Sequence, residues 1–244
     1  MYKPRLTKPE SGNPYYNTRS NGGYSTAIKG KPTDSGCDVL ANCVGYAFGR
    51  FNEIAGNKEM TYLAPINAEL FVQIAKQQGL EIGQTPKLGA VAVWQKGGTL
   101  NGSDGAGHVA VVEVIHGNGV IITTSESGYN AKRPFWTTTR TNVHGNWGQD
   151  SSYKFLGFIY NPAVKDGDTM NPYQEPTEPL RKGDKGDGVK WLQYELTKRG
   201  YLPAGQIDGS FGKITLGAVA GFQLENGLTV DGVCGAKTRA KVKS

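Results

Sequence analysis

The chain has 244 residues, of which 37% are hydrophobic and 20% charged, with 35 glycines and a formal net charge of +6. That length allows one medium and one small domain, and so much glycine points to short strands and many turns. The charge is uneven, +4 over residues 1–163, −3 over 164–179 and +5 over 180–244; the two basic blocks suit an anionic partner, but scattered Lys and Arg without a recognition motif disfavour nucleic acid.

The N-terminal MYKPR runs into polar sequence without the apolar core of a signal peptide, so synthesis in a reducing cytosol is expected. The longest apolar stretches, Val109–Val112 and Val120–Ile122, are strand-sized, far short of the roughly 20 residues that span a bilayer, and no membrane insertion is expected. Three cysteines in so long a chain argue against a disulfide framework and leave at least one thiol free. Between Ala41 and Ala55, Val44, Ala47, Phe48, Phe51, Ile54 and Ala55 form a helical stripe just after Asn42, a fitting N-cap, so a helix is predicted to begin at Cys43. A second helical pattern covers Asn67–Gln78, and strands are predicted over Ala90–Trp94, His108–Ile115, Val120–Glu126 and Phe155–Tyr160. Helices followed by an antiparallel sheet define an α+β domain over residues 1–163.

Residues 164–179 are acidic, hold three prolines and show no apolar periodicity, which predicts an extended linker. Beyond it, DGSFGKIT at Asp208–Thr215 recurs as DGVCGAKT at Asp231–Thr238, a spacing of 23. Each copy reads as a tight turn leading into a helix. With Val189, Leu192 and Leu196 on one helical face and Leu216, Val219, Ala220 and Leu224 on another, residues 180–244 are predicted to form a small three-helix domain. Cys234 takes the place of Phe211 in the repeat and reads as a small buried residue.

Cysteine is a nucleophile only as the thiolate, and a helix N-terminus and a nearby imidazole both favour that form. Cys43 has the first of these. His108 opens the apolar strand HVAVVEVI after a flexible glycine-rich loop, where an imidazole at the strand edge can serve as base and then acid. His116-Gly117-Asn118-Gly119 is hairpin sequence. With an odd-length loop His108 pairs with Glu126, whose carboxylate then orients the ring; an even loop sets the two on opposite faces. Alternation turns Glu113 away from His108. Cys37 precedes the helix and is the weaker nucleophile candidate, while His116, in a turn, and His144, in a polar loop, read as surface residues. Asp34 and Asp38 do not by themselves make an oxygen-ligand loop, so no metal and no cofactor is expected. Tyr15, Tyr16, Tyr24 and Tyr46 are candidates to line a sugar or peptide cleft.

These residues carry a resemblance. NCVGYAFGRF around Cys43, PKLGAVAVW at Pro86–Trp94, GHVAVVE at Gly107–Glu113 and SESGYN at Ser125–Asn130 resemble the CHAP family of cysteine amidases and peptidases, within the papain-like set, over about residues 30–162. The resemblance implies that Cys43 and His108 do the chemistry and that Glu126 orients the imidazole. Two positions depart from the family pattern: Ala90 stands where an Asp or Glu is common, and Gly128 where an Asn is common, with Asn130 as the nearest substitute. LRKGDKGDGVKWLQYEL, IDGSFGKIT and VDGVCGAKT resemble the small peptidoglycan-binding domain appended to many wall hydrolases. Together they imply a monomeric, endolysin-like hydrolase of bacterial peptidoglycan, made in a host cytoplasm and acting on the wall after release. A non-catalytic wall-binding or tail protein with a degenerate papain-like domain is the alternative, and a transglutaminase-like transferase would share the triad.

Overall fold

The computed structural model describes residues 2–17, 28–30, 37–63, 65–116, 119–129, 133–165, 171, 173–203 and 205–243. The chain divides into two compact units, one of residues 1–115 and 122–169 and the other of 116–121 and 170–244.

In the first unit, helix α1 (Cys43–Ala55) begins where the predicted cap acts: Asn42 is extended, and its side-chain oxygen accepts the N–H groups of Val44 and Gly45. It stops at Gly56, which is left-handed at φ 64°. Ten residues of α1, from Cys43 to Asn52, are buried. Close approach explains one of its glycines: a Cβ on Gly45 would fall 2.3 Å from the Ile28 carbonyl oxygen. The predicted second helix is a 3-10 turn at Ala68–Leu70 running into α2 (Phe71–Gln77).

Six strands follow: β1 (Ile82–Gly83), β2 (Val91–Lys96), β3 (His108–His116), β4 (Ile121–Glu126), β5 (Trp136–Thr141) and β6 (Tyr153–Ile159), in the sheet order β1-β6-β2-β3-β4-β5. β2 runs antiparallel to both β3 and β6, pairing Val91 with Val111 and Trp94 with His108. The α+β reading therefore holds, while β1 and β5 escaped it: β1 is two residues long, and β5, WTTTRT, is an edge strand without an apolar run.

The pleat separates two cores. Val91, Val93, Val109 and Val111 pack with Val44, Ala47 and Phe51 of α1, whereas Ala92, Trp94, Ala110 and Val112 pack with Trp147 and Phe158 on the other face. Burial on both faces is why these strands read as continuous apolar runs. Glu113 sits on the α1 side, fully buried, as alternation required. It accepts from Arg50 Nε and Nη2, both at 3.0 Å, from Ser125 Oγ at 2.7 Å, and from Tyr2 and the Arg5 backbone. Arg5 and Arg50 also reach Glu53, at 2.5 and 2.9 Å, so the N-terminal segment is tied into the core of this unit.

The second unit holds α3 (Asp187–Lys198), α4 (Lys213–Glu225) and α5 (Ala236–Lys243) around a core that includes Leu192, Leu196, Phe211, Phe222 and Cys234. Each repeat turn is read by a buried glutamine. Gln193 Nε2 donates to Asp208, to the Ser210 carbonyl and to Thr215, while its oxygen accepts from Gly209 N. Gln223 does the same with Asp231, Val233, Thr238 and Gly232. Cys234 is fully buried, as its alignment with Phe211 implied, and burial pushes its thiol up to about 12. The stretch read as linker behaves differently in its second half. Asn171 donates to Trp191 O, Glu175 pairs with Lys243 at 2.8 Å, and Arg239 donates to the Thr177 and Glu178 carbonyls. Glu175, read as part of an extended linker, is a counter-charge for Arg239 and Lys243 of the basic α5.

Candidate active site

Cys43, His108 and Glu126 arrive at one place from three elements. Cys43 is the first residue of α1 and 9% exposed, facing a cleft of about 480 Å³. The cleft is lined by Asn42, Cys43 and Val44, by Asn67 and Ala68, by Ala106 and Gly107, and by Tyr129, 67% exposed; none of these is Asp, Glu, Lys, Arg or His. His108 is placed by the residue before it. Gly107 has φ +76°, and a Cβ there would meet the Trp94 carbonyl oxygen at 2.3 Å and Glu69 Cβ at 2.8 Å, so only glycine lets the chain turn into β3 at that point. Buried Glu69 holds the preceding loop by accepting from the backbone of Lys96 and Asn101.

The His108 Nε2 lies 2.9 Å from Glu126 Oε2, which resolves the hairpin parity that the sequence left open: ring and carboxylate share a face. The Cys43 side chain is the ring's other interaction partner. With Nε2 taken by the carboxylate, Nδ1 is the nitrogen left for the thiol. Burial alone would lower the imidazole pKa, but hydrogen bonds and opposite charge from Cys43 and Glu126 outweigh it and push His108 up to about 9. Burial likewise opposes ionisation of Glu126, yet the His108 hydrogen bond and the charge and hydrogen bonds of Arg140 bring it down to about 2. Around neutral pH the ring is therefore a cation held against an anionic carboxylate.

Arg140 was not singled out in the sequence. From β5 it donates to Glu126 through Nε (3.0 Å) and Nη2 (2.8 Å), and Thr124 Oγ1 donates to the same carboxylate at 2.6 Å. Trp94 lies against both cations, its ring 6.0 Å from the His108 ring and 4.9 Å from the Arg140 guanidinium carbon. The sole hint in WTTTRT was that an arginine at that parity would point the same way as Trp136 and Thr138.

Other expectations fare differently. Cys37 is fully buried with its thiol donating to the Glu10 carbonyl, and it does not line the cleft. His144 is exposed, as read, but His116 is not a surface residue: it is the last residue of β3, 5% exposed, and burial lowers it to about 4. The glycines after it looked like a turn that would include it, but the strand continues one residue further and the ring is buried. Tyr16 and Tyr46 do not line the cleft either, since both are core residues, stacked at 5.7 Å, with Tyr46 Oη donating to Ser125. Tyr15 is half-buried against the same core. Tyr24, Asp34 and Asn130 lie outside the described residues. Asp38 is described, and among the described residues no three His, Cys, Asp or Glu are grouped to hold a metal ion. Nor is any described helix long and apolar enough to cross a membrane.

A thiol, an imidazole and a carboxylate linked in series at a cleft, on a helix and an antiparallel sheet, define a papain-like α+β domain. Residues 33–128 match the CHAP domain family and residues 185–242 a peptidoglycan binding domain family. The chain thus carries a CHAP domain followed by a C-terminal peptidoglycan-binding domain. Among curated proteins it is similar to an uncharacterised protein of Kitasatospora aureofaciens, 45% identical over 63 residues, covering 26% of this chain and 53% of that one. It is also similar to N-acetylmuramoyl-L-alanine amidase CwlL of Bacillus licheniformis, 40% identical over 65 residues, covering 25% of this chain and 18% of the other. Of solved structures, an N-acetylmuramoyl-L-alanine amidase from Staphylococcus aureus aligns at 21% identity and TM-score 0.37, covering 50% of this chain and 30% of that chain. The chain spans about half the length of the first of these relatives and under a third of the other two.

Proposed function

We propose that this protein is a peptidoglycan hydrolase that cleaves an amide bond of the bacterial wall, with Cys43 as nucleophile and His108 as base and acid. The observation that carries the reading is His108 set between Cys43 and Glu126 beside the cleft, bonded to the carboxylate at 2.9 Å. The Cys43 thiolate attacks the amide carbonyl, and the carbonyl carbon gains a C–S bond. Asn42 already occupies the N–H groups of Val44 and Gly45, so the Cys43 N–H, which has no acceptor within the helix, is the donor that faces the oxyanion. As the intermediate collapses, the C–N bond breaks and His108 gives its proton to the departing amine. Water then attacks the thioester with neutral His108 taking a proton, which releases the carboxylate product and restores the thiol. Glu126 keeps the ring oriented throughout. The second unit raises the local concentration of enzyme on its polymeric substrate by tethering it to the wall.

Turbidity clearing of purified walls tests this reading: wild type lyses them and Cys43→Ala does not, whereas undiminished clearing by Cys43→Ala would overturn it. Mass spectrometry of the digest then names the bond, because new N-termini on the stem alanine mark a cleaved lactyl amide and other new N-termini mark an endopeptidase.

A further inference from the structure

Building on the cysteine–histidine chemistry proposed above, we infer that Arg140 is a positioning residue of this site: its guanidinium fork keeps the Glu126 carboxylate ionised and aimed at His108, so that the imidazole beside Cys43 keeps its counter-charge in acidic solution. Glu126 is 1% exposed. A lone carboxylate so buried takes up a proton readily, because desolvation penalises its charged form. Two cations oppose that here, and they meet at a single atom: Oε2 lies 2.9 Å from His108 Nε2 and 2.8 Å from Arg140 Nη2.

Arg140 is itself held rigidly. Its Nε reaches Glu126 Oε1 at 3.0 Å and Thr124 Oγ1 at 3.1 Å, its Nη1 donates to the Trp147 carbonyl at 3.1 Å, and its flat face lies over Trp94. A planar cation fixed on two edges and one face sets the plane of the carboxylate it binds. Among the described residues, the titratable and charged groups that face Glu126 are His108 from β3 and Arg140 from β5, with Cys43 of α1 across the imidazole; Arg50 and Glu113 are paired with each other on the opposite side of the sheet. Arg140 also repels the imidazolium. That repulsion works against the ring's proton, but Glu126 stands between the two cations and in contact with both, so the contact attraction outweighs the longer-range repulsion.

Without Arg140, only His108 and the Thr124 hydroxyl, among the described residues, would resist protonation of the carboxylate, and Glu126 protonated at Oε2 can no longer accept from the imidazolium. Opposite charge at contact lowers a carboxylate by about 1–3 pH units, so loss of Arg140 returns that much.

The test uses the full-length protein and the rate of Cys43 alkylation by iodoacetamide, followed by mass spectrometry from about pH 3 to about pH 8, since only the thiolate reacts. Thermal unfolding is recorded for each variant. In Arg140→Gln the acid limb of the rate profile is expected to move up by about one unit or more. Arg140→Lys keeps the charge and loses the fork, and its limb moves in the same direction by less. If the limb stays where wild type has it in both variants while stability falls, Arg140 is structural and the inference is overturned. If Arg140→Gln does not fold, Arg140→Lys decides alone: a wild-type limb refutes the fork. Wall clearing by Cys43→Ala would instead sink the proposed chemistry, and the alkylation profile would still report on the Arg140–Glu126–His108 link.

Discussion

Glu126→Gln is the perturbation whose cost the structure specifies most fully. The carboxylate is buried, and its hydrogen-bond partners among the described residues are all donors: His108 Nε2, Arg140 Nε and Nη2, and Thr124 Oγ1. An amide has the same shape but turns one of its two ends into a donor, so at least one N–H would face another N–H. An unmet buried donor costs about 1–3 kcal/mol. The amide also leaves Arg140 and the protonated ring without a counter-charge, and breaking a buried ion pair from one side costs about 3–5 kcal/mol. These overlap, so a loss of about 3–5 kcal/mol is expected, read by urea denaturation of the first unit at neutral pH. For a unit of this size that is a fall of about 6–20 °C in Tm. His108 loses the acceptor that orients it, and clearing of walls is expected to drop by about 10²–10⁴-fold. A stability loss below about 1 kcal/mol would show that the carboxylate is solvated or differently paired, and unchanged clearing would show that it does not serve the ring.

Other consequences are equally open to measurement. His108 sits above its ordinary 6.5, so its stabilising contribution is complete below that pH and is lost as pH rises through about 9; Glu126 sits below 4.5, so its contribution is complete above that pH and is lost as pH falls through about 2. Tm measured against pH should therefore be highest between about 4.5 and 6.5 as far as this pair decides it, and Glu126→Gln should flatten both flanks. Gly107→Ala places a Cβ against the Trp94 carbonyl and should cut clearing by displacing His108, with α1 and its Cys43 alkylation site still present. Asn42→Ala removes the acceptor for two α1 N–H groups and should cost about 1 kcal/mol in urea denaturation. Gln223→Ala strips the second repeat turn of four hydrogen bonds, for about 2–4 kcal/mol, and should abolish co-sedimentation with walls while Cys43 remains alkylatable.

Where the sequence could be read, the signal was local. An apolar stripe after an Asn announced α1 and put Cys43 at its first turn, and a polar His at the head of an apolar run announced the edge of β3. Glu126 was harder, because its face depends on the length of one hairpin loop, and the contact at 2.9 Å decided it. Tertiary pairings left no local trace. Arg140 comes from a threonine-rich edge strand with no apolar pattern. Gln193 and Gln223 lie 30 residues apart while the turns they read repeat every 23, so the repeat did not reveal them. Glu175 looked like part of a spacer because its partner, Lys243, is 68 residues away. Turn chemistry misled at His116, since Gly-Asn-Gly marks a reversal without saying on which residue the strand ends.

The most direct check of the cysteine chemistry is to follow wall clearing while iodoacetamide titrates the protein, with peptide mass spectrometry locating each adduct. Cys37 and Cys234 are fully buried and Cys43 opens on the cleft, so modification is expected at Cys43 alone, with clearing falling in proportion and reaching zero at one adduct per chain. Clearing that persists after Cys43 is fully modified, or that disappears only as Cys37 or Cys234 reacts, would contradict it.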